Sequence, residues 1–208
     1  MKLQVALDFL KREDAILILK KVAPYCDIIE AGTPLIKAEG ISILEELRGI
    51  APDKIIFADL KIADVADIEV TLAKENGADV TSVLAQGPLS TVKEGIKTGK
   101  EKGIKVVIDT IGTEDLESKI KKIEKFEPDY FLIHCGIDEQ KEGKDPMENV
   151  ALASRFTDIP LMVAGGIDAK KAKILKDNKN IEVIIVGGAI TKAENPEKIA
   201  KEIKEIIS

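Results

Sequence analysis

Short runs rich in Val, Ile, Leu and Ala recur about every 25 residues along the chain, and a stretch with helical spacing follows each of them. The runs predict strands at Leu3–Leu7, Asp27–Glu30, Ile55–Ala58, Val80–Val83, Lys105–Ile108, Tyr130–Ile133, Leu161–Ala164 and Val183–Val186. The stretches between them predict helices near Glu13–Ala23, Ile41–Ile50, Asp64–Asn76, Pro88–Lys102, Glu114–Phe126, Pro146–Arg155, Ala169–Asn178 and Pro196–Ile207. Thr113 ahead of Glu114-Asp115 reads as a helix start, and Pro88, Pro146 and Pro196 stand where first-turn prolines are tolerated. Most strands lack polar/apolar alternation, as expected of a sheet covered on both faces. Eight β–α units in 208 residues predict an α/β fold, a compact (β/α)8 TIM barrel. A doubly wound open sheet is the alternative, because a strand count does not prove closure. No linker or shift in composition interrupts the pattern, so residues 1–208 read as a single domain.

Polar residues gather where these strands end. The run Lys54–Ala58 leads into Asp59-Leu60-Lys61-Ile62-Ala63-Asp64. Side chains alternate along a strand, so Asp59 and Lys61 point the same way. The ordinary structural alternative is an Asp–Lys ion pair with Asp64 capping the next helix. The other strand ends carry Asp8, Glu30, Asp109, His134, Gly165-Gly166 and Gly187-Gly188. In a barrel, all of these would meet at one mouth, which favours a functional reading.

Within that set, the imidazole of His134, with an ordinary pKa of about 6.5, suits a general base, although a lone histidine after an apolar strand can equally be structural. Glu30 and Asp59 end neighbouring strands. Two oxygen ligands on rigid strands fit Mg²⁺, with Mn²⁺ as the alternative metal; without a metal, the pair would be balanced by Lys61. The glycine pairs of the last two strands let backbone N–H groups approach an anion, the usual phosphate position of such barrels. The three arginines, Arg12, Arg48 and Arg155, fall on predicted helices away from the strand ends, so a phosphate there is expected to be held by backbone amides, with or without a lysine, and not by an arginine fork. No G-x-G-x-x-G fingerprint joins a strand to a helix, which argues against a nicotinamide or flavin.

Composition narrows the partners. With 45% hydrophobic residues, 33% charged residues and a net charge of −6, nothing points to nucleic acid or an anionic membrane. No apolar run is long enough to cross a bilayer, and the amino terminus reads as a strand and not a signal peptide. Two cysteines, Cys26 and Cys135, form no disulfide framework and suit a reducing, cytoplasmic setting. Cys135 beside His134 lacks further ligands at zinc spacing and reads as a packing residue.

These residues together resemble the orotidine monophosphate decarboxylase superfamily with its D-x-K-x-x-D signature and, within it, the hexulose-6-phosphate synthase family. The likeness spans Leu3–Asp8, Glu30–Leu35, Ala58–Asp64, His134–Gln140, Gly143–Pro146, Ala164–Ile167 and Ile185–Thr191. Orotidine monophosphate decarboxylases carry a lysine at Glu30 and an arginine at Gly188. The 3-keto-gulonate-6-phosphate decarboxylases share the glutamate but have arginines at Gly188 and Ile137 and a glutamate at Asp109. Val65-Ala66-Asp67 departs from the small, glycine-containing segment usual in the synthases.

The resemblance implies a Mg²⁺-dependent aldol reaction of the sugar phosphate D-ribulose 5-phosphate with formaldehyde through an enediolate. It implies Glu30 and Asp59 as metal ligands, His134 as base, and Lys61 as stabiliser of the enediolate or proton donor. Asp109 and Asp8 would orient substrate hydroxyls or Lys61, and Gly165, Gly166, Gly187 and Gly188 would anchor phosphate. It further implies a homodimer in which Asp64 reaches the partner's site. The alternatives are decarboxylation of a 3-keto sugar-acid phosphate and a non-catalytic sugar-phosphate-binding barrel.

Overall fold

The computed structural model describes all 208 residues. Its strands are β1 (Lys2–Leu7), β2 (Ile28–Ala31), β3 (Ile55–Ile62), β4 (Val80–Leu84), β5 (Lys105–Asp109), β6 (Tyr130–His134), β7 (Leu161–Ala164) and β8 (Ile181–Val186). The helices are α1 (Arg12–Val22), α2 (Thr33–Glu39), α3 (Ile43–Ile50), α4 (Ala66–Glu75), α5 (Leu89–Lys102) and α6 (Leu116–Ile123), followed by α7 (Ile137–Lys141), α8 (Met147–Ala153), α9 (Ala169–Leu175), α10 (Gly188–Thr191) and α11 (Pro196–Ile207). All strand pairs are parallel in sequence order, and β1 also pairs with β8, Lys2 with Val183 through Val5 with Val186. That last pairing closes the barrel and excludes the open sheet.

Every predicted strand forms. The helices α2, α7 and α10 were not predicted. Each is a short insertion between a strand and its main helix, too brief to reveal a helical period. At α6 the start differs from the expected Thr113 signal: Asp115 caps it, accepting from Ser118 N at 3.0 Å. Pro196 opens α11 as expected, whereas Pro88 and Pro146 stand at the N-cap positions of α5 and α8.

Two hydrophobic layers hold the barrel. One lies between strands and helices, and the other fills the barrel itself with Ala6, Ile28, Phe57, Val80, Val107, Tyr130, Leu132, Met162, Ala164, Val183 and Ile185. This double burial explains the missing alternation. It also fixes which parity of each strand faces inward. Two residues further along that parity come Asp8, Glu30, Asp59, Ser82, Asp109, His134 and Gly187. The interior packing therefore delivers the polar residues to one end.

The opposite end is tied down by backbone bonds. Asp27, Asp79 and Asp129, each just ahead of an even-numbered strand, accept from Leu3 N, Ile56 N and Val106 N of the preceding odd-numbered strands at 2.8, 2.8 and 2.9 Å. Lys204 and Arg48 then pair with Asp27 and Asp79. β2 starts after Asp27, one residue later than predicted.

The chain ahead of α4 is strained. Val65, its N-cap, has φ 44, and a β-branched residue in the left-handed region is a genuine outlier. Asp64 therefore does not cap α4, contrary to that sequence reading. Replacing Val65 by Gly should release this strain and stabilise the fold by up to about 1 kcal/mol after the entropic cost of glycine, read as a higher urea midpoint. A drop in the midpoint would show that the Val65 side chain is held by contacts worth more than the strain.

Candidate active site

The inward polar residues open into a cavity of about 620 Å³ at the carboxyl ends of the strands. Asp8, Glu30, Asp59, Lys61, His134, Gly165, Gly166, Gly187 and Gly188 all line it. Asp109 lies beneath, fully buried, and joins the set through its partners. Asp64 is the one predicted site residue that the barrel does not bring in: it is exposed and lies outside the lining.

Lys61 reaches the site by a route that simple alternation does not describe. β3 continues four residues past its predicted end, and between its pairings Ala58–Thr81 and Ile62–Val83 it holds two residues more than β4. The excess forms a bulge in which Lys61 has φ 51. Lys61 N donates to Ser82 Oγ at 2.9 Å, and Ser82 Oγ donates to Asp59 Oδ1 at 2.8 Å. The Lys61 ammonium then bonds Asp59 Oδ2 at 2.8 Å and Asp109 Oδ2 at 3.0 Å. Thr33 Oγ1 lies 2.8 Å from Asp59 Oδ2 and completes its surroundings.

Asp109 is the hub. His134 Nδ1 lies 3.0 Å from its Oδ2, and Ile111 N donates to Oδ1 at 2.9 Å. A carboxylate only accepts, so Nδ1 carries the proton and Nε2 is left to act as a base. Burial pushes Asp109 up, but the His134 hydrogen bond and the His134 and Lys61 charges outweigh it and hold the carboxyl at about 2. Burial likewise pulls the Lys61 ammonium down, yet Asp59 and Asp109 outweigh it and keep the group above its ordinary value. Lys61 is thus held as an ammonium between Asp59 and the Asp109 carboxylate, with the imidazole on Asp109.

The other wall carries the opposite imbalance. Glu30 is buried and accepts from Gln4 Nε2 at 2.7 Å. Burial raises it well above the usual carboxylate range, and the charges of Asp59 and Asp8 raise it further. Asp8 is raised too, by burial and then by Asp59. Three carboxylates therefore share this wall with Lys61 as the nearest cation. Glu30 and Asp59, on adjacent strands, are the residues that could hold a divalent cation. Their oxygen donors suit a hard metal ion, which would relieve the crowding that raises Glu30 and Asp8 and would share Asp59 with Lys61, Ser82 and Thr33.

Glycine makes room at two points. Any side chain at Gly32 would run into Asp8 Oδ1, and a Cβ at Gly165, with φ +114, would lie 2.5 Å from Cys135 O. Cys135 is the buried packing residue expected from the sequence.

The model of the orotidine 5'-phosphate decarboxylase / HUMPS family matches residues 1–203. The chain belongs to this family. It is 38% identical over 209 residues to the 3-hexulose-6-phosphate synthase of Mycobacterium gastri, with 100% of both chains covered. The solved 3-hexulose-6-phosphate synthase from Salmonella typhimurium superposes with a TM-score of 0.96 at 34% identity, covering 100% of this chain and 98% of that one. The 3-keto-L-gulonate-6-phosphate decarboxylase from Vibrio cholerae is more distant, with a TM-score of 0.87 and 28% identity over 99% and 96% of the chains. Like these full-length relatives, this member of the HUMPS family is an enzyme. No helix in it is long and apolar enough to cross a membrane.

In this HUMPS-family barrel, sequence reasoning missed Gln4, Ser82, Thr33 and Lys192. Gln4 interrupts an apolar strand, and Ser82 shares the inward parity of Val80, so both left a signal in the sequence. Thr33 and Lys192 sit on the unpredicted α2 and just after the unpredicted α10, and had none.

Proposed function

We propose that this enzyme is a 3-hexulose-6-phosphate synthase, joining formaldehyde to carbon 1 of D-ribulose 5-phosphate, and running the reverse cleavage. The observation that carries this reading is the Asp59–Lys61–Asp109–His134 chain of bonds facing the Glu30 and Asp8 carboxylates across one cavity. The full-length similarity to proteins named as that synthase supports it.

In the proposed reaction, His134 Nε2 takes a proton from carbon 1, beside the ketone, leaving an enediolate. Lys61, its charge secured by two carboxylates, stabilises the enediolate oxygen. Asp109 holds both groups in place and preserves the His134 tautomer. Carbon 1 then attacks formaldehyde, forming the new C–C bond, and the resulting alkoxide takes a proton from His134 or Lys61 to give D-arabino-hex-3-ulose 6-phosphate. Asp8 would bind sugar hydroxyls, and Gly165, Gly166, Gly187 and Gly188 would receive the phosphate. A divalent cation held by Glu30 and Asp59, Mg²⁺ or Mn²⁺, would supply further neutralisation of developing oxygen charge. The second reading, decarboxylation of 3-keto-L-gulonate 6-phosphate, rests on the more distant neighbour. Against it, neither Gly188 nor Ile137 brings a guanidinium to the cavity, and no arginine lines it.

Consumption of formaldehyde with ribulose 5-phosphate, measured with and without chelator, tests the proposal. Turnover that chelator stops and Mg²⁺ restores is expected. Carbon dioxide release from the keto acid without formaldehyde consumption would overturn it in favour of the second reading.

We also propose a homodimer with shared sites. Val65, Ile68 and Leu72 leave an exposed apolar stripe beside Asp64, where a second copy could pack. Asp64→Asn and Asp59→Asn homodimers should each be inactive. Mixing equal amounts should restore about a quarter of wild-type activity, since half the dimers would be mixed and each would regain one of two sites. No recovery after subunit exchange would mean self-contained sites.

A further inference from the structure

The carboxylates of the cavity would repel a dianionic ligand, so its charged end must find a counter-charge elsewhere. Two lysines line the cavity, Lys61 and Lys192. Lys61 is committed to Asp59 and Asp109 at 2.8 and 3.0 Å. Nearby Lys171 is committed to Asp145 at 2.6 Å. Lys192 makes no ion pair and no side-chain hydrogen bond within the chain, and it stands at the glycine rim.

Its position follows from the local fold. β8 ends at Val186, Gly187-Gly188 turns the chain, and the single turn of α10 brings Lys192 back over its start, with Lys192 N donating to Gly188 O at 3.1 Å. The lysine stem then lies across Gly188: a Cβ there would meet its Cδ at 3.6 Å and its Cε at 3.8 Å. The Lys192 stem thus runs within ordinary van der Waals reach of Gly188 at the rim of the cavity. Four residues of helix supply too little dipole to neutralise a dianion, and backbone amides carry no net charge. A full positive charge at this rim has to come from a side chain, and Lys192 is the one without a partner.

We infer that Lys192 is a specificity-determining residue that selects phosphorylated over unphosphorylated sugar by pairing with the phosphomonoester. This rests on the proposed sugar-phosphate reading and deepens it. The pairing is a charge-assisted contact at the remote end of the substrate, so it is made equally before and during reaction. It governs binding of one substrate and leaves the reacting atoms alone.

Titration calorimetry with ribulose 5-phosphate and with inorganic phosphate, alongside steady-state kinetics, tests this on the wild type, Lys192→Met and Lys192→Arg. Loss of one such contact should raise KM for ribulose 5-phosphate on the order of 10- to 50-fold in Lys192→Met. Its kcat should fall less than about threefold, and KM for formaldehyde should stay put. Phosphate binding should weaken in parallel, and the arginine variant should recover most of the loss. The salt dependence of KM should also flatten in Lys192→Met. A Lys192→Met enzyme that binds ribulose 5-phosphate and phosphate as tightly as wild type overturns the assignment while leaving the functional reading intact. A fall in kcat with KM unchanged overturns it as well. Wild-type protein that binds no ribulose 5-phosphate would instead overturn the functional reading, and this inference with it.

Discussion

Lys61→Met is expected to lower kcat by on the order of 10²- to 10³-fold, the usual cost of removing one preorganised donor from a developing oxyanion. The same substitution should destabilise the fold by about 3 kcal/mol, because it strands two buried carboxylates that now share one ammonium. The two effects separate in a denaturant titration run beside the kinetics. Lys61→Arg should recover part of the stability, since the charge is kept. It should recover little of the rate, since a planar fork cannot sit between Asp59 Oδ2 and Asp109 Oδ2 as a compact ammonium does. A Lys61→Met enzyme with near-normal kcat would remove Lys61 from the chemistry and leave it as an ion-pair partner.

Glu30→Gln should act in opposite directions on activity and stability. If Glu30 and Asp59 hold the metal, turnover and the response to Mg²⁺ should both be lost. The fold should become more stable in chelator. Glu30 is raised by burial and by Asp59 and Asp8, so the folded state favours its protonated form. For a group with a raised folded-state pKa, stability is full below the unfolded value and declines as pH rises through the folded one. A neutral amide removes that loss at neutral pH. Its amide oxygen can keep the bond from Gln4 Nε2. Melting in chelator at neutral pH should therefore move up by a few degrees, about 2–4 °C for each kcal/mol gained in a chain of this size. Added Mg²⁺ should raise the melting temperature of wild type and leave Glu30→Gln unmoved. A variant that keeps its Mg²⁺-dependent rate would disprove the metal assignment.

Much of this site was legible along the chain because parallel barrel strands are buried on both faces. A charge at the end of such a run has few places to go, and Asp8, Glu30, Asp59, Asp109 and His134 all stood out for that reason. The glycine pairs stood out because they follow strands 7 and 8. Gln4 and Ser82 were legible in principle, as polar residues on the inward parity, but a strand has to be placed in the barrel before its parity has meaning. Lys192 was not legible. A lysine after a one-turn helix looks like any solvent-facing lysine until the turn is built and its stem falls across Gly188.

The sequence by itself determined the eight β–α units and the end at which the acids collect, since both follow from local apolar periodicity. Three things waited for tertiary structure. Closure depended on β1 meeting β8 across nearly the whole chain, a contact that no local pattern encodes. The aim of Lys61 depended on a bulge set by its register against β4, because only a partner strand defines an excess residue. The exclusion of Asp64 from its own cavity depended on the left-handed turn at Val65, where the geometry of α4 against its neighbours overrides the residue's own preference.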